Sequence, residues 1–144
     1  MSERLQLPED ISMLTKIDVA GEWKKFWDGT QEGKLWIQEC PSCRHRQFYP
    51  RNICVKCAET PGWLEASGRG TLYTYSVVRQ YLLPPFKDML PYVTAMVDLE
   101  EGVRMMTNII DCDLDQIEIG MPLEVKFVKA RENLTVPYWR PAGS

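Results

Sequence analysis

The residues in this chain whose type and spacing best support chemistry are four cysteines arranged in two pairs. Cys40-Pro-Ser-Cys43 and Cys54-Val-Lys-Cys57 are Cys-x-x-Cys knuckles with ten residues between them. Each knuckle turns two thiolates toward one point, and the short segment between them can close as a hairpin. Four sulfurs at about 2.3 Å then complete a tetrahedron around Zn2+. Iron in a rubredoxin-like site is the rival metal for the same ligands. In either case coordination is closed, so the metal serves structure and any chemistry must come from elsewhere. Disulfide pairing would require an oxidising compartment. The N-terminal stretch lacks the charged start and apolar core of a secretory leader, so the expected setting is the reducing cytoplasm. A redox pair would stand alone beside a βαβ pattern, and neither condition holds. Cys112 stands outside the set and reads as a small, partly buried side chain rather than a nucleophile.

Other reactive groups are few. The sole histidine, His45, falls between the knuckles, where it reads as a solvated turn position or a hydrogen-bond donor to a thiolate. No glycine-rich phosphate loop, nucleophile elbow or HExxH occurs. Glu100 and Glu101 are adjacent in a hairpin turn and point apart, which suits solvation better than acid–base work. No catalytic residue is therefore assigned. The formal net charge of −3 argues against a footprint for a phosphate backbone. Arg44, Arg46, Arg51 and Lys56 decorate the hairpin beside Phe48 and Tyr49. Solvated charges are the simplest reading of that skirt. A small anionic ligand or an acidic protein face would fit it too. No apolar run approaches the roughly 20 residues of a membrane span.

These cysteines need elements to position them. Met1 to Lys16 carries only scattered apolar positions, Leu5, Leu7, Ile11 and Leu14, and reads as an arm that orders against a partner. Asp18 can cap a helix through Val19, Trp23, Phe26 and Trp27, whose spacing puts the large side chains on one face. The helix can pack on its own chain or anchor a subunit interface, since interface cores are rich in aromatics. Leu35 to Gln38 is a strand leading into the first knuckle, and Gln47 to Tyr49 returns toward the second. From Gly68 the pattern changes to short strands: Thr71–Gln80, Pro91–Leu99, Val103–Asp111, Pro122–Lys129 and Thr135–Trp139. A Pro-rich loop, Tyr81–Leu90, follows the first of them. Glu100-Glu101-Gly102 is a tight turn, and Asp113–Ile119 is a short helix or turn. The expected fold is mainly β: an N-terminal helical segment, a rubredoxin-like zinc ribbon and a five-stranded Greek-key barrel of the OB type. Domain limits are 1–17 for the arm, 18–34 for the aromatic helix, 35–66 for the ribbon and 67–144 for the barrel.

The succession of motifs resembles the DUF35 family. It runs through Leu-Trp-Ile-Gln-Glu-Cys40-Pro-Ser-Cys43, Tyr-Pro-Arg-Asn-Ile-Cys54-Val-Lys-Cys57, Trp63, Ser67-Gly68-Arg69-Gly70-Thr71, Leu99-Glu100-Glu101-Gly102 and Ile119-Gly120-Met121-Pro122. The resemblance spans roughly Trp23 to Pro141. It implies a rubredoxin-like zinc ribbon joined to an OB-fold, with structural Zn2+ on Cys40, Cys43, Cys54 and Cys57. It also implies a role beside a thiolase-like partner acting on acyl-CoA thioesters by thiolysis, retro-aldol cleavage or acyl transfer. By analogy the assembly would be a heterotetramer of two plus two. The chain would not be an enzyme by itself, the helix residues Trp23, Phe26 and Trp27 would meet the partner, and Arg69, Arg79 and Lys87 would be placed to meet CoA phosphates. The rival expectation is a single-stranded nucleic-acid module with Tyr73, Tyr75 or Phe127 as stacking platforms. The acidic balance and the lack of a basic stripe along the strands count against it.

Overall fold

Alternation of apolar and polar residues with period two, strongest between Tyr92 and Leu99, closes the second half of the chain into a barrel. The computed structural model describes residues 3–12, 19–80 and 89–143. Strand β1 (Arg4–Leu5) is followed by a 3-10 turn (Gly21–Trp23) that runs into helix α1 (Lys24–Gln31). Strands β2 (Leu35–Glu39), β3 (Arg46–Gln47) and β4 (Gly62–Ala66) form the ribbon sheet, in the order β3-β2-β4. Then come β5 (Arg69–Val78), β6 (Tyr92–Leu99), β7 (Arg104–Ile109), β8 (Cys112–Asp113), a 3-10 turn (Leu114–Gln116), β9 (Pro122–Arg131) and β10 (Leu134–Pro141).

Five of these strands close in the order β10-β7-β6-β5-β9. Neighbours are antiparallel except β10 and β7, which meet in parallel at Trp139 and Ile109. Along β6, Val93, Ala95, Val97 and Leu99 are buried and face the interior. They lie opposite Ile109, Thr107 and Met105 on β7, and opposite Leu72 and Gly70 on β5. Trp139 fills the centre and is fully buried, as are Leu134 and Leu123. β5 stays beside β6 for most of its length but meets β9 only through Arg69, Gly70 and Thr71. At Gly70 a Cβ would come within 2.5 Å of the Asp98 carbonyl and 2.9 Å of Val97 Cγ1, so close approach of the strands requires glycine there.

Each barrel strand falls within two residues of its expected limits at either end. The tight turn is present too: Gly102, at φ +89°, lets the Leu99 N–H reach the Val103 carbonyl at 2.8 Å. The first half of the chain differs more from expectation. The helix does not run through Val19, because Gly21 adopts φ +69° and breaks any continuous helix there. Asp18, its expected cap, lies outside the described residues, as does most of the Pro-rich loop. The described part of the arm, residues 3–12, packs on its own chain: Arg4 and Leu5 pair with Asp113 and Cys112, and Leu5 and Ile11 are buried in the core. Burial of two aliphatic side chains supplies the ordering that a partner was expected to give. The strand returning from the first knuckle stops at Gln47, since Tyr49 turns at φ +57°. Strand β4 was not foreseen, yet it pairs with all of β2, from Leu35 opposite Ala66 to Glu39 opposite Gly62. The Asp113–Ile119 segment is a 3-10 turn closed by a capping box between Asp113 and Gln116.

Gly70→Ala should lower stability by about 1–3 kcal/mol through overpacking. Chemical denaturation of the two proteins side by side checks this. An unchanged midpoint would show that β5 and β6 can move apart at no cost.

Candidate metal centre and the aromatic groove beside it

Strand β2 ends one residue before Cys40, so the sheet delivers the first knuckle directly. There the Arg44 N–H donates to the Cys40 carbonyl at 2.9 Å, and the Cys40 N–H donates to the His45 carbonyl at 2.9 Å. The second knuckle repeats the pattern: Ala58 N–H to the Cys54 carbonyl at 2.9 Å and Cys54 N–H to the Glu59 carbonyl at 2.7 Å. Arg44 and Ala58 turn the chain at φ +65° and +66°. His45 enters this knuckle through its backbone. The four Sγ atoms lie within 4.8 Å of one another. Cys40 and Cys57 are 3.5 Å apart, and Cys43 and Cys54 are 3.6 Å apart. A regular tetrahedron with metal–sulfur bonds of about 2.3 Å has edges of about 3.8 Å, so the set fits Zn2+ closely.

The knuckle backbone also prepares the ligands. The Cys43 N–H, with other donors in the turn, holds the Cys40 thiol down to about 6 against the opposing effect of burial. Cys57 behaves oppositely. Although the Glu59 N–H stabilises its thiolate, burial and the neighbouring sulfurs push it up to about 12. Cys40 thus ionises readily, the Cys54 thiol is lowered as well, and Cys57 resists adding charge to the cluster. A bound Zn2+ supplies the compensating charge and crosslinks both knuckles. Cys112 takes no part: it is buried on β8, and burial pushes its thiol up.

Two buried amides hold the loop between the knuckles, and sequence reasoning missed both. Gln47 donates to Gln38 Oε1 at 2.7 Å and to the Ile53 carbonyl at 3.2 Å, and its own Oε1 accepts from Val55 N–H at 3.0 Å. Gln38 accepts from Arg51 N–H at 3.0 Å and donates to the Arg51 carbonyl at 2.9 Å. The available signal was polar amides at strand positions flanking a knuckle, where aliphatic residues would serve a sheet core.

The segment that leaves Gln47 carries Phe48 and Tyr49 to the helix. Their rings meet those of α1 and its preceding turn: Phe26–Phe48 at 5.5 Å, Trp23–Phe48 at 6.0 Å and Trp23–Tyr49 at 6.1 Å between centroids. Phe26 and Trp27 are buried in the core of this chain, and Trp23 is half-buried. Between these rings and the barrel lies a groove of about 480 Å³, with Thr94, Met106, Asn108 and Tyr138 along its barrel side. The residues expected to meet a partner therefore pack α1 onto its own chain and line this groove.

Two of the three residues expected to meet CoA phosphates are among the described residues. Arg69 and Arg79 flank opposite ends of β5, a strand of ten residues that spans about 30 Å. Glu100 engages Arg69 at 3.0 Å and Glu3 engages Arg79 at 2.9 Å, while Lys87 lies outside the described residues. Hydrogen bonds from Arg69 and Ser67 hold the Glu100 carboxyl below its ordinary value. Its neighbour Glu101 accepts from the Ser67 N–H through its carboxylate at 2.9 Å and from Arg46 through its carbonyl at 3.0 Å. The turn is thus not simply solvated: the Glu101 carbonyl takes Arg46 of the ribbon, while both carboxylates hold the Ser67–Arg69 segment where the ribbon passes into the barrel. Of the expected stacking platforms, Tyr73 has the Arg104 guanidinium 3.4 Å above its ring, Tyr75 is exposed, and Phe127 is half-buried against the core.

A four-cysteine ribbon carried on a closed five-stranded OB barrel defines the class of protein. Residues 27–61 match the ChsH2 rubredoxin-like zinc ribbon domain and residues 63–128 the ChsH2 C-terminal OB-fold domain. A DUF35 domain-containing scaffold protein of Methanothermobacter thermautotrophicus is 44% identical over 105 residues, covering 71% of this chain and 77% of that protein. The chain belongs to the DUF35 family. A probable enoyl-CoA hydratase alpha subunit of Thermomonospora curvata is 38% identical over 120 residues; the match covers 81% of this chain but only 37% of that longer protein. Among solved structures, a chain described as Ltp2-ChsH2(DUF35) aldolase superposes with a TM-score of 0.80 at 33% identity, over 88% of this chain and 99% of the other.

Replacing Cys40 and Cys54 together by serine should abolish stoichiometric zinc, measured by atomic emission, and unfold the ribbon. Structural zinc sites contribute on the order of 10 kcal/mol to folding. Gln38→Leu should cost about 2 kcal/mol, because it leaves the Arg51 N–H and carbonyl without their side-chain partner and takes one acceptor from the Gln47 amide in a partly buried setting. Chemical denaturation at constant zinc checks the second value.

Proposed function

We propose that this protein is a non-catalytic, zinc-braced accessory subunit of a thiolase-type enzyme acting on acyl-CoA thioesters. The observation that carries the reading is the superposition, over almost the whole of the other chain, with the DUF35 component of an aldolase. The hydratase alpha-subunit name of the Thermomonospora relative and the scaffold name of the methanogen relative point the same way. The site chemistry agrees: a closed four-sulfur centre offers no open coordination position, and the paired carboxylates Glu100 and Glu101 are occupied in a structural joint. In this division of labour the partner carries out thiolysis, retro-aldol cleavage or acyl transfer. The present chain stabilises the partner's active form and contributes part of the acyl-CoA cavity, in the cytoplasm and in a two-plus-two assembly. Arg69 and Arg79 could each turn from its carboxylate to a CoA phosphate, but as separate contacts rather than one cluster. The nucleic-acid reading draws less support, since the Arg104 guanidinium occupies one face of the Tyr73 ring and Phe127 is packed, which leaves Tyr75 as the open platform.

Co-expression with the genes adjoining its own should recover a stable complex with a thiolase-like protein. The purified complex, but not this chain alone, should turn over an acyl-CoA. Turnover by the isolated chain, or recovery without any thiolase-like partner, would overturn the assignment.

A further inference from the structure

We propose that Gln47 couples the metal centre to the aromatic groove, so that the groove holds its present shape only in the metal-loaded chain. Gln47 is buried, and its side chain binds the backbone on both sides of Cys54: the carbonyl of Ile53 before it and the N–H of Val55 after it. Gln47 is also the last residue of β3, and Phe48 and Tyr49 follow it directly. Phe48 packs on Phe26 and Trp23, and Tyr49 packs on Trp23. A short path of hydrogen bonds, covalent bonds and ring contacts therefore runs from a metal ligand to the wall of the groove.

The metal governs this path because of what would remain without it. The segment from Phe48 to Ile53 belongs to neither a helix nor a strand. Its ends are tied by the four-sulfur crosslink and by the Gln38–Gln47 bonds. Without the crosslink, the second knuckle keeps its internal turn but loses its tie to the first. The Ile53 and Val55 groups that Gln47 reads are then free to drift. Tyr49 sits at φ +57°, a conformation that a non-glycine residue holds only where its surroundings enforce it. Release lets it relax to negative φ and swings its ring away from Trp23. An ion pair between Arg51 and Glu22 also crosses from loop to helix, but at 3.9 Å and largely exposed it adds little restraint. Helix α1 donates no metal ligand, and its other tie to the ribbon, Lys25 over the Trp36 ring at 4.2 Å, reaches β2, a strand that β4 pairs along its whole length.

Amide hydrogen exchange read by mass spectrometry tests the coupling. In the zinc-loaded protein, removal of the metal by chelation should speed exchange in residues 24–31 at least tenfold while residues 92–99 keep their protection. Gln47→Leu, with zinc content confirmed by atomic emission, should show fast exchange in 24–31 already in the loaded state and little further change on chelation. Unchanged protection of 24–31 when residues 40–59 lose theirs would overturn the proposal. So would wild-type protection in the loaded variant. Should chelation also open 92–99, the comparison of loaded proteins decides. Should Gln47→Leu fail to retain zinc, Tyr49→Gly takes its place, since it removes the ring and the backbone strain but leaves Gln47 intact. Faster exchange in 24–31 at full zinc supports the coupling, and no change refutes it.

Discussion

Convergence of four sulfurs on one point is the constraint on which the rest of this structure depends. The ribbon sheet has two strands of five residues and one of two. It contributes few aliphatic side chains to the core, chiefly Leu35 and Ile37. A unit so small cannot bury enough apolar surface to offset the entropy of ordering its loops. A metal crosslink does what a larger core would otherwise have to do. Where the metal's reach ends, paired amides take over: Gln38 and Gln47 saturate backbone groups that no sheet partner can reach.

The ribbon in turn is fastened to the barrel on two sides by different means. On one side the fastening is polar: Arg46 of β3 donates to the Glu101 carbonyl, and Ser67, where β4 passes toward β5, donates to the Glu101 carboxylate. On the other it is aromatic, with rings of the ribbon loop meeting rings of α1, which itself lies on the barrel. Polar contacts fix direction, while ring contacts tolerate small displacements. The polar joint therefore sets the orientation of the ribbon, and the aromatic side is the one able to adjust.

What could be read from the sequence divides along the range of the interactions. The knuckles were legible because metal ligation needs particular residues at short, fixed spacing. The barrel strands were legible because burial on one face imposes period two, most clearly from Val93 to Leu99. The Gln38–Gln47 pair was not, since its partners are backbone groups brought near only by the fold. The described part of the arm was misread for a similar reason: Leu5 and Ile11 have no local periodicity, and Leu5 is buried where its strand pairs with β8. Strand β4 eluded reading because five residues between Pro61 and Ser67 give too short a pattern. The break at Gly21 was a local error, as was the return strand carried past Gln47 to Tyr49. A glycine ahead of an aromatic helix marks a left-handed turn as readily as a helical position.

The sealing of Trp139 inside the barrel has an optical consequence. Of the five tryptophans, it is the most deeply buried; Trp27 on α1 is 8% exposed, and Trp23 and Trp36 are half-buried around the helix and ribbon. An indole so enclosed emits toward the blue and is shielded from aqueous quenchers, while its partly wetted counterparts report on their own surroundings. The molecule thus carries an internal reference and a set of sensors in one chain. Events confined to the ribbon and helix can be told from the opening of the barrel by light alone.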